Sequence, residues 1–199
     1  MQNHASLIAG PGDALVLVDV QNDFLPGGAL AVAGGDRVVP PLNRCIALFT
    51  ERGLPVYATR DWHPPDHCSF VPQGGPWPPH CVAGSPGAGF APALRLPPAL
   101  PIVLIGKGHD PAKDSYSGFE GTDLDRRMRE QGVSRLFVGG LATDYCVLNT
   151  VLDGLRLGYR VVVLTDAIRA VDVHPGDGER AVAEMAGHGA VLATTAELS

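Results

Sequence analysis

Short, wholly apolar runs alternate along the chain with segments whose apolar positions recur every three or four residues. Ala14 to Val20 reads Ala-Leu-Val-Leu-Val-Asp-Val, an apolar run interrupted only by Asp19. Such a run fits a strand buried on both faces. Similar runs at 54–58, 102–105, 135–138, 160–164 and 190–193 predict five more strands. Between them, helices are predicted over 36–52, 122–131, 143–157 and 176–188. In the first, Val39, Leu42, Ile46 and Phe49 recur at helical spacing, Pro40 and Pro41 fit only the opening turn, and Gly53 ends it. Asp36, Thr122 and Thr143 are the expected caps at three helix starts. Alternating strands and helices with apolar strands predict one α/β domain over residues 1–199. Its expected form is a three-layer doubly wound sheet of about six mainly parallel strands, with helices on both faces.

One region breaks the rhythm. Eleven of the 18 prolines fall between Pro64 and Pro101. The stretch over about 59–101 lacks helical or strand periodicity, yet holds Trp62, Trp77, His63, His67, His80, Cys68 and Cys81. A loop this long and this rich in functional side chains reads as ordered and functional.

In parallel sheets, ligands bind beyond the carboxyl ends of the strands. Asp19 ends the first strand, Arg60 and Asp61 follow the second, Lys107 the third, and Ala142 to Cys146 the fourth. Topology therefore gathers these groups on one rim.

Composition narrows the classes. The chain has 199 residues, 45% apolar and 18% charged, which suits one folded core and not a disordered chain. Fifteen basic against 21 acidic residues give a net charge of −6 without a basic run, so nucleic acid is not an expected partner. No apolar stretch reaches the ~18 residues of a membrane helix. Met1 to Gly12 lacks a charged region followed by an apolar block, so a secretory signal is not expected and the cytoplasm is. Four irregularly spaced cysteines predict reduced thiols; Cys45, on a helix, reads as packing.

Cys146 sits in Gly139-Gly-Leu-Ala-Thr-Asp-Tyr-Cys146, a strand-to-helix turn. A helix start favours a thiolate, and its free amides suit an oxyanion. A lone cysteine is more often plain packing, but this one shares the rim with Asp19 and Lys107. Asp19 interrupts an apolar strand, and a buried carboxylate needs a partner. Lys107 supplies one, either as a structural ion pair or as part of a Cys–Asp–Lys catalytic set. Asp61-Trp62-His63 directs two ligand-type side chains to one side of an extended segment, with His67 and His80 nearby in sequence. A His/carboxylate site with open positions suits zinc, iron or manganese. A structural zinc site from His63, His67, Cys68, His80 and Cys81 is the competing reading, and exposed histidines the plain one.

Five motifs in order resemble one family. Val18-Asp19-Val-Gln-Asn-Asp23-Phe24 with Pro26-Gly27-Gly28, Arg60-Asp61-Trp62-His63-Pro-Pro-Asp-His67-Cys-Ser69-Phe70, and Gly75-Pro-Trp77-Pro-Pro-His80-Cys81 are similar to the opening and metal-binding motifs of nicotinamidases (pyrazinamidases) among the isochorismatase-like hydrolases. Lys107-Gly108 with Ser115-Tyr116-Ser117-Gly118-Phe119, and Gly140-Leu141-Ala142-Thr143-Asp144-Tyr145-Cys146-Val147, resemble the lysine and nucleophile motifs. The match runs over roughly 13–195. It implies an isochorismatase-like, Rossmann-like fold and a cytoplasmic amidase of NAD salvage that converts nicotinamide, and pyrazinamide, to the acid and ammonia. The resemblance implies Cys146 as nucleophile, Asp19 as general base and then acid, and Lys107 as electrostatic partner. Asp61, His63 and His80 would hold one divalent metal ion, zinc ahead of iron or manganese, whose open position takes the pyridine nitrogen. Ala142 and Cys146 would form the oxyanion hole beyond a cis bond between Leu141 and Ala142. Phe24, Trp77, Leu141 and Tyr145 would contact substrate. Two features depart from the pattern. His67 follows His63 one residue sooner than in members where it binds metal, which leaves it as a ligand or as a support for one. Tyr145 stands where some members carry His. A related amidohydrolase acting on a carbamoyl or ureido substrate, and a non-catalytic metal-stabilised binding module, are the alternative functions. Assembly as a homo-oligomer is left open.

Overall fold

A computed structural model describes residues 7–96 and 103–199. The first six residues, the end of the proline-rich region at 97–101 and the expected strand start at Ile102 lie outside the described residues. The strands are β1 (Asp13–Val18), β2 (Val56–Asp61), β3 (Val103–Lys107), β4 (Arg135–Leu141), β5 (Arg160–Arg169) and β6 (Val191–Ala193). The helices are α1 (Val39–Glu51), α2 (Leu124–Glu130), α3 (Leu148–Arg156) and α4 (Asp177–Gly187). All six strands join one sheet in the order β3-β2-β1-β4-β5-β6, and every pairing is parallel. The expected α/β architecture is therefore the observed one.

Strand alternation divides the core into two layers. Leu15 and Leu17 of β1 pack with Leu42, Ile46 and Phe49 of α1. Ala14, Val16 and Val18 pack on the other face with Leu124 and Met128 of α2, Val151 of α3 and Met185 of α4. Each β1 residue is thus buried, whichever way it points.

The structure shifts several boundaries. β2 continues to Asp61, β4 to Leu141 and β5 to Arg169, beyond the expected ends at 58, 138 and 164. Polar residues and glycines weaken the apolar signal while still occupying the ladder: Thr59, Arg60 and Asp61 all pair with β3. The register between β4 and β5 slips between Val138 and Gly140. Gly140 has φ +133°, and a Cβ there would collide with the Val18 backbone, so only glycine lets β4 lie this close to β1. The expected helix at 36–52 is a 3-10 turn, Gly35–Val38, followed by α1. Asp36 lies within that turn and caps nothing in α1. The expected helix at 143–157 opens with a single π turn, Thr143–Val147, before α3, and the cap position is Ala142, not Thr143. Asp123 occupies the cap position of α2, while the Thr122 hydroxyl accepts the Leu124 N–H at 3.3 Å.

Past Asp61, where β2 ends, the proline-rich region forms no further strand and no α-helix among its described residues. It is tied down by isolated bridges, His63 to Val82, Phe70 to Trp77 and Gln21 to Phe90. All four cysteines are free thiols. Cys45 packs in the core on α1, where burial pushes its thiol up to about 12.

Candidate active site and metal centre

The strand order reverses between β1 and β4, and chemistry collects at the carboxyl ends beside that point. Asp19 directly follows β1, with φ 48°. This left-handed conformation is unusual for a residue other than glycine; it turns the chain out of the sheet. Asp61 and Lys107 are register partners across β2 and β3. Cys146 comes from the π turn after β4, beyond a bond between Leu141 and Ala142 that is cis.

These side chains meet. Lys107 Nζ lies 3.0 Å from Asp19 Oδ2 and 3.4 Å from Cys146 Sγ, and donates to the Ser115 carbonyl at 3.3 Å. It also donates a short hydrogen bond to Asp61 Oδ1. Ligand-type atoms of Asp19, Asp61 and Cys146 all lie within 4.8 Å of one another. The Thr59 hydroxyl donates to Asp19 Oδ1 at 2.7 Å. Asp19 Oδ2 is buried and receives no aligned hydrogen bond despite its ion pair, so it keeps a lone pair free for a proton.

The electrostatics differ from the helix-start expectation for the thiol. Burial pushes the Cys146 thiol well above its ordinary range; Lys107 pulls it down, and the carboxylates of Asp19 and Asp61 push it further up. Cys146 therefore rests as a thiol, because full burial outweighs the favourable turn. Burial also raises Asp19 against the pull of Lys107. Lys107 behaves oppositely: burial disfavours its charge, but Asp19 and Asp61 more than restore it, so the ammonium persists.

The second cluster joins the first through Asp61. Asp61, His63 and His80 are buried, and their ligand atoms converge within 4.8 Å. His63 Nδ1 donates to the Gly108 carbonyl at 3.0 Å, and His80 Nδ1 donates to the Pro78 carbonyl at 2.8 Å. Carbonyls only accept, so both rings carry a proton on Nδ1, which leaves Nε2 as the atom that would face a cation. Burial pushes Asp61 up, but Lys107 and His63 outweigh it and hold the carboxyl well below the usual range. Two buried carboxylates share one ammonium here, and a divalent cation would offset the excess negative charge. The residues present therefore fit a divalent metal.

His67 is not part of this cluster. Its Nε2 donates to the Lys113 carbonyl at 3.2 Å, so its Nδ1 accepts from the Ser69 hydroxyl at 2.7 Å. No lone pair remains for a metal. The ring instead stacks against His63, with centroids 4.1 Å apart. Cys81 is wholly buried in the apolar core, and neither it nor Cys68 joins a metal-type group among the described residues. The structural-zinc reading with these two thiols is not the arrangement observed.

One cavity of about 420 Å³, counted to its mouth, is lined by Cys146 of the first cluster and by Asp61, His63 and His80 of the second. Asp19 and Lys107 are not among its lining residues and reach it through Cys146 and Asp61. Phe24, Trp77 and Tyr145 stand in its wall, as expected, with Ala142 and Cys146 at its floor. Trp77 meets Tyr145 edge-on at 5.0 Å and donates its indole N–H to the Tyr116 hydroxyl at 3.1 Å. Leu141 is a correction. Its side chain is fully buried in the core layer with α1 and does not line the cavity, because the apolar strand face claims it. Sequence reasoning missed Leu30, Asp114, Tyr116 and Val171 in the wall, and Thr59 beneath Asp19. Strand alternation would have found Thr59, which shares a face of β2 with Asp61.

The isochorismatase domain model matches residues 13–197. A nicotinamidase of Escherichia coli strain K12 is 45% identical over 94% of this chain and 97% of its own length. The crystal structure of a Pyrococcus horikoshii pyrazinamidase in complex with zinc superposes with a TM-score of 0.87 at 47% identity, covering 92% of this chain and 99% of that one. PnC1 from L. infantum, in complex with nicotinate, gives a TM-score of 0.88 at 37% identity, over 97% and 98% of the two chains. This chain belongs to the nicotinamidase/pyrazinamidase group of the isochorismatase-like hydrolases.

Proposed function

We propose that this protein is a metal-dependent amidase that hydrolyses nicotinamide to nicotinic acid and ammonia, with pyrazinamide as a second substrate. One observation carries the reading. Cys146, held against Lys107 and Asp19, lines the same aromatic-walled cavity as an Asp61–His63–His80 group, and the Asp61 carboxylate is shared between Lys107 and that group. A binding module would have no use for the first set. The chain acts as one hydrolase domain in the cytoplasm, with Asp61, His63, Ser69, Trp77 and His80 of the proline-rich region in its metal and substrate wall; among the described residues no helix is long and apolar enough to cross a membrane.

Asp61, His63 and His80 would hold the metal, and zinc suits two imidazoles and one carboxylate with an open position. When bound, it would supply Lewis-acid binding for the pyridine nitrogen. Phe24, Trp77 and Tyr145 hold the ring faces and leave the carboxamide carbon against Cys146. Asp19 removes the thiol proton as sulfur attacks that carbon. The oxygen gains the carbonyl electron pair and is held by the Ala142 and Cys146 amides. The C–N bond then breaks, Asp19 returns its proton to the departing nitrogen, and ammonia leaves behind a thioester. Water attacks the thioester while Asp19 takes its proton. The C–S bond breaks, nicotinic acid leaves, and the proton returns to sulfur. Lys107 remains protonated, offsetting negative charge as it passes from Asp19 to sulfur.

The test is the appearance of nicotinic acid from nicotinamide in the presence of purified zinc-loaded protein. Turnover is expected, and removing metal with a chelator should weaken nicotinamide binding and stop it until metal is restored. No turnover with zinc, iron or manganese, alongside hydrolysis of a ureido amide, would instead assign the chain to the related amidohydrolases. Unchanged turnover in protein shown to be metal-free would remove the metal from the account.

A further inference from the structure

The proposed chemistry leaves unused a buried polar side chain next to its general base. Gln21 is fully buried. The β1–β2 ladder pairs Leu15 through Leu17 with Val56 through Ala58. Beyond it, β1 turns away at Asp19, whose amide donates to the Thr59 carbonyl and hydroxyl, both at 3.3 Å. Asp61 lies two residues further along β2 and has no strand backbone beside it on that flank. The Gln21 side chain fills the gap. Its Oε1 accepts the Asp61 N–H at 2.7 Å, and its Nε2 donates to the Asp61 carbonyl at 2.8 Å. The second Nε2 hydrogen goes to the Ala88 carbonyl at 2.9 Å, in the proline-rich wall. One amide thus reproduces the paired N–H and C=O contacts that a neighbouring strand would make.

The backbone of Gln21 is itself fixed to the general base, since its N–H donates to the Asp19 carbonyl at 2.8 Å. Asp19, Gln21 and Asp61 therefore form one hydrogen-bonded unit, and Asp61 is the residue shared by Lys107 and the metal-type cluster. We infer that Gln21 is a positioning residue: its side-chain amide, standing in for a missing strand, sets the Asp61 carboxylate between the metal ligands and Lys107. This rests on the proposed metal-dependent amidase reading. Losing such a supporting contact around a metal site costs about 10- to 100-fold in metal affinity or activity.

The test uses Gln21→Met, which removes all three hydrogen bonds at similar volume, and Gln21→Glu, which can keep the Asp61 N–H contact but loses both donors. Zinc affinity is measured by competition with a chromophoric chelator, and kcat on nicotinamide at saturating zinc, both at 10 °C where the variants are folded by circular dichroism. The expected result is zinc binding weakened by about tenfold or more and a lower kcat at saturating zinc. Leu42→Ala, an apolar truncation in α1, serves as the destabilised control and should retain both values. Folded Gln21 variants that bind zinc as tightly as the unmutated protein would overturn the inference. So would failure of both variants to fold with zinc in excess, which would make Gln21 a folding residue. If the unmutated protein neither binds zinc nor turns over nicotinamide, the amidase reading itself fails, a result separate from either of these.

Discussion

Cys146→Ala is expected to lower ammonia release from nicotinamide by more than about 10,000-fold, with nicotinamide affinity retained within about threefold. The sulfur is the sole atom of the set that can form the covalent bond. Its neighbours Asp19 and Lys107 remain paired at 3.0 Å without it. The ring contacts proposed for Phe24, Trp77 and Tyr145 would not involve the thiol, so binding should persist. Removing one small side-chain atom at the cavity floor should also leave the fold intact. Steady-state ammonia release and equilibrium binding to the same preparation check both halves. Turnover within tenfold of the unmutated protein would contradict the nucleophile assignment.

Lys107→Met should act on stability as well as turnover. Lys107 is buried and pairs with two carboxylates, Asp19 and Asp61, which are themselves buried. Taking away one partner of a buried pair leaves an uncompensated charge and costs about 3–5 kcal/mol. For a chain of this size, that corresponds to a fall in Tm of about 6–20 °C. Metal bound at Asp61 offsets part of the excess negative charge, so the fall should be smaller in zinc-loaded protein than in metal-free protein. Turnover should be lost in both, because the cation that balances Asp19 and the developing thiolate is gone. Thermal melts with and without zinc, paired with a nicotinamide assay, measure the effect. Equal Tm values for the variant and the unmutated protein would show that the ion pairs carry little of the stability.

The strands and their order of use were largely legible because strands buried on both faces leave unbroken apolar runs. The same logic placed Asp19, Asp61, Lys107 and Cys146 on one rim, and the structure brings them within contact distance. Legibility declined where burial is decided by distant parts of the chain. The thiol of Cys146 looked activated from its place at a helix start, yet burial together with the Asp19 and Asp61 carboxylates reverses that. Leu141 resembled a wall residue by its place in the motif, but the strand face turned its side chain into the core. His67 looked like a ligand by type, while Ser69 and the Lys113 carbonyl claim both of its nitrogens. The wall residues Leu30, Asp114, Tyr116 and Val171 come from segments far apart in sequence. None of these carries a periodic pattern that would announce a shared cavity.

The covalent account is tested most directly by turning over nicotinamide in increasing concentrations of hydroxylamine and measuring nicotinohydroxamate against nicotinic acid. A thioester on Cys146 should partition between water and hydroxylamine, so hydroxamate should rise at the expense of nicotinic acid while each turnover still releases one ammonia. Nicotinic acid as the sole product at every hydroxylamine concentration, with ammonia released at the full rate, would contradict a thioester and point to direct attack by water.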